Sequence, residues 1–133
     1  MAIIAAVGIT VAVVVGSEPK APDTFQLAGT MTLTESVTRY GGGPGFECVG
    51  YKGYDDMTQA TAVTVSDESG TLLAKGTFAG STGGSASSYP CVFTFVIDAV
   101  PTGKNFYKVE VSHRGALSYT QDEAQAGVAL SLG

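Results

Sequence analysis

The stretch Cys91-Val92-Phe93-Thr94-Phe95-Val96-Ile97 decides the fold, because it is an apolar, strand-like run that begins with a cysteine. The second cysteine ends a glycine-rich stretch, Gly41-Gly42-Gly43-Pro44-Gly45-Phe46-Glu47-Cys48. The apolar N-terminal run indicates an exported protein, and two cysteines in a small exported domain usually form a disulfide. A bridge between Cys48 and Cys91 would close a loop of roughly 40 residues and contribute about 3–4 kcal/mol by the loop-entropy model. We therefore expect a domain of β-strands that is cross-linked by one disulfide.

Composition sets the class of protein. The chain has 133 residues, 18 of them glycine, with 14% charged residues and no tryptophan. This is typical of one β-rich, turn-rich domain with a short additional segment. The net charge of −5 and the lack of a Lys/Arg cluster argue against nucleic-acid binding and against electrostatic binding to anionic lipid.

Residues 1–16 form a separate apolar segment. The 15 residues from 2 to 16 carry no charge, but they are fewer than the roughly 20 that span a bilayer as a helix. They also lack a basic n-region, an A-x-A cleavage site and a lipobox cysteine. We expect a membrane anchor; a signal-peptide h-region and an Ile/Val-rich buried strand remain as alternatives. The residues expected to contact the membrane are Ile3, Ile4, Val7, Ile9, Val11, Val13, Val14 and Val15.

A polar linker with two prolines, residues 17–24, is expected to act as an extended spacer. The chain from residue 25 to 133 then shows strand patterns separated by turns. In the first strand pattern, Phe25, Leu27, Met31 and Leu33 share one face, with Gly29 as the small member. The spacing predicts an antiparallel β-sandwich of about seven strands. The predicted strands are 25–34, 61–66, 71–78, 90–100, 106–113, 117–120 and 128–132.

Three connections have sequence signatures of their own. The run Asp67-Glu68-Ser69-Gly70 predicts a turn that joins the strands 61–66 and 71–78 into a hairpin. Residues 80–88 (GSTGGSASS) are low in complexity and predict a flexible loop. Thr120, Glu123 and Gly127 have the spacing of a capping box followed by a terminating glycine, which predicts one helical turn over 120–127.

Two resemblances follow from the order of these motifs. The runs 63–74 (VTVSDESGTLLA), 93–95 (FTF), 100–103 (VPTG) and 106–111 (FYKVEV) are similar to prealbumin-like domains, which include transthyretin and the regulatory-like domain of carboxypeptidases. Cys48, the run 53–56 (GYDD), Cys91 and the run 106–115 (FYKVEVSHRG) look like a recurrent domain of actinobacterial envelope proteins. The first resemblance implies an Ig-like or prealbumin-like sandwich. The second implies a domain that sits outside a single membrane anchor. It implies no established activity and transfers no catalytic residue.

The polar candidates are few. His113, the only histidine, stands at a strand end, and neither a G-x-S-x-G elbow nor three metal ligands accompany it. Asp55 and Asp56 form the best polar cluster and are a weak calcium candidate, although six or more oxygens are usually needed. The other interpretation is structural: one of these carboxylates caps the turn or pairs with Arg114 and fixes the loop beside the disulfide.

The aromatic residues near the glycine-rich loop are the preferred interaction patch, because tyrosine is large, amphipathic and stiff. These residues are Tyr40, Phe46, Tyr51, Tyr54 and Tyr89. Their alternative role is to shelter the disulfide and close one end of the sandwich. The glycine-rich loop matches no phosphate-binding motif, so nucleotide binding is not supported.

The sequence therefore predicts a non-catalytic, extracytoplasmic interaction module that is tethered to the cell envelope or displayed at the cell surface. No cofactor or metal is expected, and the partners are other proteins or copies of the same protein. Two alternatives remain open. The chain is an accessory subunit of a membrane complex docked by its N-terminal helix, or a pilin-like subunit whose apolar segment lies in a filament core.

Overall fold

The structure, a computed structural model, describes residues 23–83 and 90–133. Within them the chain forms ten strands and one short helix, where the sequence predicted about seven strands. In chain order the elements are β1 (Thr24–Leu33), β2 (Val37–Thr38), β3 (Val49–Gly50), β4 (Ala62–Asp67), β5 (Leu72–Thr77), β6 (Gly80–Gly83), β7 (Cys91–Pro101), β8 (Tyr107–Val111), β9 (Ala116–Tyr119), α1 (Gln121–Ala126) and β10 (Val128–Leu132).

The strands form two four-stranded sheets and one two-stranded ribbon. The first sheet has the order β10-β1-β7-β6, the second has the order β9-β8-β4-β5, and β2 pairs with β3. The prediction of an antiparallel arrangement is wrong for one pair, because β10 runs parallel to β1, with Val128 opposite Gly29. Helix α1 connects β9 in one sheet to β10 in the other, and such a crossover allows a strand to enter beside a parallel neighbour.

Alternation along the strands builds the core. Strand β7 buries every second residue from Cys91 to Ile97, and β4 and β8 bury Val63, Val65, Tyr107, Val109 and Val111. The buried side chains of both four-stranded sheets belong to one hydrophobic cluster. The rings of Phe78 and Phe93 stack inside it with centroids 4.5 Å apart. This is the arrangement that half-buried strands require, with apolar side chains inward and polar ones outward.

Gly29 shows why a small residue interrupts the apolar face of β1. A Cβ at this position would lie 2.5 Å from the Cζ atom of Phe95 and 2.7 Å from a methyl group of Val128. Both distances are far below ordinary contact, so a larger residue would displace one of these core side chains. The absence of a side chain at Gly29 thus makes room for the ring of Phe95 and for Val128.

The predicted disulfide is confirmed. The sulfur atoms of Cys48 and Cys91 are 2.03 Å apart and the Cα atoms are 5.9 Å apart. Both residues are buried. The bridge therefore joins the end of the glycine-rich loop to the first residue of β7, deep in the core.

Two further local predictions are confirmed. Strands β4 and β5 form a hairpin, and the carboxylate of Asp67 accepts hydrogen bonds from the backbone N–H groups of Ser69 and Thr71. Helix α1 begins with a capping box, in which Thr120 accepts from the Glu123 N–H and Glu123 accepts from the Thr120 N–H. Gly127 follows the helix with a φ of 104°, a conformation that favours glycine.

The predicted flexible loop over 80–88 is wrong in its first part. Gly80–Gly83 forms β6 and pairs with β7, with Ser81 opposite Phe93 and Gly83 opposite Cys91. Pairing with β7 overrides the weak β-propensity of these residues. Residues 84–89 of this stretch lie outside the described residues.

The predicted apolar anchor (residues 1–16), with its membrane-contacting residues from Ile3 to Val15, and positions 17–22 of the predicted linker also lie outside the described residues. The first described strand begins at Thr24, one residue before the predicted start. Across positions 23–83 and 90–133, the structure contains no helix with the length and hydropathy needed to cross a membrane.

Candidate interaction surface

The glycine-rich loop is fixed to β6 by a buried serine. Ser81 is 5% exposed, and its hydroxyl donates to the Cys48 carbonyl at 2.6 Å while accepting from the Cys48 N–H at 3.1 Å. Its backbone N–H donates to the Gly45 carbonyl at 3.0 Å, and its carbonyl accepts from the Glu47 N–H at 3.1 Å. Every polar group of Ser81 therefore holds residues 45–48, and the disulfide adds a covalent link at the same point.

The space beside the disulfide is closed. A Cβ on Gly83 would lie 2.9 Å from the sulfur of Cys48, so the residue next to the bridge must be small. The Gly83 N–H donates to the Glu47 carboxylate at 3.2 Å. Gly83 thus serves close packing beside the disulfide, and its hydrogen bond to Glu47 helps to hold the loop that precedes Cys48.

The β2–β3 ribbon continues from this cluster and carries two tyrosines. Val37 pairs with Gly50 and Thr38 with Val49, directly after the disulfide-bonded Cys48. The Tyr51 N–H donates to the Ser36 carbonyl at 2.8 Å, which extends the ladder by one pair. The Tyr40 N–H donates to the Thr38 hydroxyl at 3.2 Å. The backbone of both tyrosines is therefore set by the ribbon.

Gly50 locks this ribbon against the next loop. It is buried, and a Cβ there would overlap the carbonyl oxygen of Tyr54. Its N–H donates to the Met57 carbonyl at 2.9 Å, and the Met57 N–H donates back to the Tyr54 carbonyl at 2.9 Å. Because Met57 is completely buried, residues 50–57 form a compact turn with a core anchor.

An ion pair closes the same turn from the other side. The guanidinium of Arg114 grips the Asp56 carboxylate with two hydrogen bonds, Nε to Oδ2 at 3.0 Å and Nη2 to Oδ1 at 2.6 Å. Nη2 also donates to the Gly53 carbonyl at 2.6 Å, and the guanidinium lies 4.9 Å from the centre of the Tyr54 ring. A planar fork on a carboxylate with a ring behind it is a geometry that lysine cannot reproduce.

The electrostatics of this pair follow from the same contacts. The hydrogen bond from Arg114 is the largest cause that lowers the pKa of Asp56 below its ordinary value of 3.8, against a smaller opposing effect of burial. Asp56 in turn raises the pKa of Arg114. Both side chains remain about one-third exposed. The ion pair therefore links the 53–56 loop to the turn that follows β8. Both groups stay charged at neutral pH.

The two acidic candidates for calcium separate in the structure. Asp55 is exposed, whereas both carboxylate oxygens of Asp56 accept hydrogen bonds from Arg114. No group of three or more His, Cys, Asp or Glu side chains that could hold a metal ion occurs in the described part of the chain. Of the two interpretations offered by the sequence, the structure shows the pairing of Asp56 with Arg114.

The structure divides the five aromatic residues of the predicted patch. Tyr40 is 84% exposed and Tyr51 is 41% exposed. Phe46 and Tyr54 are partly buried and pack against the core. Tyr89 lies outside the described residues. Tyr40 and Tyr51 line one groove, together with Val37, Thr38 and Arg39, and we call it the tyrosine groove.

His113 is exposed and lies two residues after the end of β8. Its neighbour Arg114 forms the ion pair with Asp56 described above. The sequence analysis missed the role of Ser81, because a serine inside a GSTGG run carries no signal of burial. Only its pairing with Phe93, twelve residues along the chain, places it beneath Cys48.

Comparison with known proteins gives no relative for this chain: no protein-family model, no curated protein and no solved structure matches it.

Proposed function

We propose that this protein is a non-catalytic, extracytoplasmic interaction module, tethered to the cell envelope by residues 1–16 and binding its partner through the tyrosine groove. Two four-stranded sheets around one core support the proposal of an Ig-like or prealbumin-like sandwich. In this arrangement a stable scaffold presents loops at one end, and binding residues concentrate on such loops.

The disulfide supports an extracytoplasmic location. Disulfides persist in oxidising compartments and are rare in reducing ones. The Cys48–Cys91 bridge is buried and packed against Gly83, so the surrounding fold accommodates it without spare room. A cysteine pair placed this way is more useful as a permanent link than as a redox switch.

The observation that carries the proposal is the combination of a braced loop and exposed aromatic rings. The disulfide, the hydrogen bonds of Ser81 and the Arg114–Asp56 ion pair restrain the region between Gly45 and Asp56. Tyr51 lies in this region, and Tyr40 follows β2, the strand that pairs with it through β3; both tyrosines are exposed. Rigid aromatic side chains lose little entropy when they bind, so bracing them favours recognition.

Site-specific photo-crosslinking tests the proposal in the native envelope. A benzophenone amino acid is placed at Tyr51 in the full-length protein, with the same replacement at Phe106 as the control. Phe106 is 47% exposed, compared with 41% for Tyr51, so the two probes sample solvent equally. We expect cross-linked products at Tyr51 and none at Phe106. Equal yields at the two positions would contradict a partner at the tyrosine groove.

Mild-detergent extraction, followed by sizing and mass spectrometry, separates the possible assemblies. A species near monomer mass leaves a tethered stand-alone module. A stoichiometric set of other proteins favours an accessory subunit that docks through its N-terminal segment. A very large homopolymer favours a pilin-like subunit, with the apolar segment in the filament core.

A further inference from the structure

The strands at the edges of the two sheets differ in how they are protected from pairing with another chain. Strand β5 carries a bulge, because its pairing with β4 skips Leu73, and it also carries the exposed Lys75. Strand β6 is covered by the glycine-rich loop, where Phe46 forms a bridge with Ser81. Bulges, lysines and covering loops are devices that keep an edge strand from recruiting a further strand.

Strand β9 has none of these protections. Within residues 23–83 and 90–133 it pairs on one side only, with β8, and its sequence (ALSY) contains no charge, proline or bulge. Leu117 lies opposite the buried Val109 and therefore faces inward, yet it is 52% exposed. By contrast, the inward side chains Val128 and Leu130 of the edge strand β10 are 5% and 6% exposed. The unprotected apolar edge is therefore that of β9.

A cleft of about 210 Å³ lies between β9 and β10 on this side of the sandwich. Its apolar wall is formed by Met31, Leu117, Leu130 and Leu132. A further strand beside β9 would extend the second sheet across the mouth of this cleft and cover Leu117, which is how an exposed sheet edge recruits an extended segment.

The hydrogen bonds of β8 show which backbone groups of β9 are free. The Ser112 N–H donates to the first carbonyl of β4, so the groups at every second residue of β8 point to β4 and those between them point to β9. Val109 falls in the second set, and its partner Leu117 therefore directs its own N–H and C=O groups to β8. The N–H and C=O groups of the flanking residues point away from the sheet; these residues are Ala116 and Ser118.

The free groups are complementary to those of a second copy of this chain. When two β9 strands lie antiparallel with Leu117 on the two-fold axis, Ala116 of each copy lies opposite Ser118 of the other. These two pairs exchange four hydrogen bonds, and the two Leu117 side chains face each other beside the clefts. We propose that β9 pairs with β9 of a second copy in this register, which joins two four-stranded sheets into one sheet of eight strands.

The charges beside β9 support a second copy as the occupant. On the outer face of the sheet, Glu110 lies next to Ala116 and Lys108 lies next to Ser118. In the proposed register, Glu110 of one copy and Lys108 of the other stand at the two ends of one cross-strand row, about 14 Å apart at the backbone. Symmetry creates this row twice. One oxygen of Glu110 accepts from the Gly115 N–H, and the other is left for the lysine.

The size of the contact sets the conditions under which it forms. Four residues from each copy bury far less than the roughly 800 Å² per partner of a stable complex. Resting on the tether proposed above, copies confined to one membrane have a high effective concentration, which favours a weak contact without strengthening it. The pair should therefore exist in the membrane and dissociate when the protein is diluted in detergent.

Disulfide trapping in native envelope membranes tests the pairing. The full-length protein with Leu117→Cys is oxidised and analysed without reductant. Leu72→Cys is the control, because Leu72 is 55% exposed, compared with 52% for Leu117, and lies on the bulged edge strand β5. Opposed residues without mutual hydrogen bonds have Cα atoms about 4.5 Å apart, within reach of a disulfide.

We expect covalent dimers with Leu117→Cys in several times the yield found with Leu72→Cys. Equal yields at the two positions would overturn the proposal, since random collisions give that result. Adducts of Leu117→Cys with other proteins, in place of dimers, would overturn the second copy as the occupant.

A proline variant tests the hydrogen-bonded register. In the Leu117→Cys background, Ser118→Pro removes an N–H that points away from β8, a position where an edge strand tolerates proline. The melting temperature should stay close to that of the parent, while the dimer yield falls several-fold; Ser118→Ala, the control, should leave the yield unchanged. An undiminished yield with folded Ser118→Pro would contradict the register, and the comparison of Leu117 with Leu72 decides the pairing even if this variant is unstable.

This proposal and the proposed function can fail separately, because they are probed at different residues. Photo-cross-links at Tyr51 without dimers at Leu117 would overturn the β9 pairing and leave the interaction module intact. Dimers at Leu117 without cross-links at Tyr51 would support the pairing and contradict a partner at the tyrosine groove.

Discussion

Reduction of the Cys48–Cys91 disulfide should destabilise the domain by about 4 kcal/mol. The two cysteines are 43 residues apart in sequence, and loop-closure entropy for that separation amounts to about 13 cal/mol/K at 298 K. Reduction removes no side-chain carbon and so isolates the cross-link from packing. For a domain of about 100 residues, this corresponds to a fall of roughly 15 °C or more in the melting temperature.

Urea unfolding with and without a phosphine reductant measures this quantity. The free energy of unfolding should fall by about 4 kcal/mol, and the denaturant slope should rise because the reduced unfolded chain exposes more surface. The Cys48→Ala/Cys91→Ala double variant is the control, since the reductant has nothing to act on there. The oxidised state is verified by mass before each measurement. A change below about 1 kcal/mol on reduction would refute the loop-entropy reasoning.

Three other perturbations test the braced loop and the helix. Asp56→Asn should lower the free energy of unfolding by up to about 1 kcal/mol at pH 7, because the pair is partly exposed; an unchanged free energy of unfolding would contradict a structural role. Because Arg114 lowers the pKa of Asp56, the contribution is complete above 3.8 and is lost as the pH falls through the lowered pKa, so wild type and variant should converge in acid. Gly50→Ala should cost about 1–3 kcal/mol by overlap with the Tyr54 carbonyl, measured by thermal unfolding; Gly43→Ala, whose Cβ would meet only a flexible side chain at 3.4 Å, should be nearly neutral, and equal effects would argue against the overlap. Thr120→Ala should cost about 1 kcal/mol through the lost helix cap, whereas Thr120→Ser should retain most of it, and the same denaturant assay decides between them.

Local patterns predicted a large part of the fold. The alternation of Leu27, Met31 and Leu33 marked the buried face of β1, and the spacing of Thr120 and Glu123 marked the start of α1. These features depend on residues that are close in sequence, so a strand or cap signal is complete within a few positions. The cysteine pairing was predictable as well, since two cysteines allow one bridge.

Other features depend on distant partners and could not be derived. Gly80–Gly83 is a strand only because β7 lies beside it, and β10 is parallel because α1 carries the chain across to the first sheet. The sequence offered Arg114 as one partner for the acidic pair, but the choice of Asp56 and the bidentate geometry arise from residues 58 positions apart. The sequence could not distinguish the exposed rings of Tyr40 and Tyr51 from the partly buried rings of Phe46 and Tyr54, because exposure depends on the surrounding fold.

The parallel pairing of β10 with β1 has a consequence for the order of folding. Strand β1 is synthesised first among the described strands, yet both of its neighbours, β7 and β10, follow much later, and the Thr34 N–H bonds to the Leu132 carbonyl across 98 positions. A growing chain therefore carries β1 without any hydrogen-bonding partner until β7 has been synthesised, and without its second partner until Val128–Leu132 follows. Contacts this far apart make folding slow and leave an unpaired apolar strand exposed meanwhile. Nascent chains of this design depend on shielding during synthesis, and truncation before Val128 should leave an aggregation-prone product.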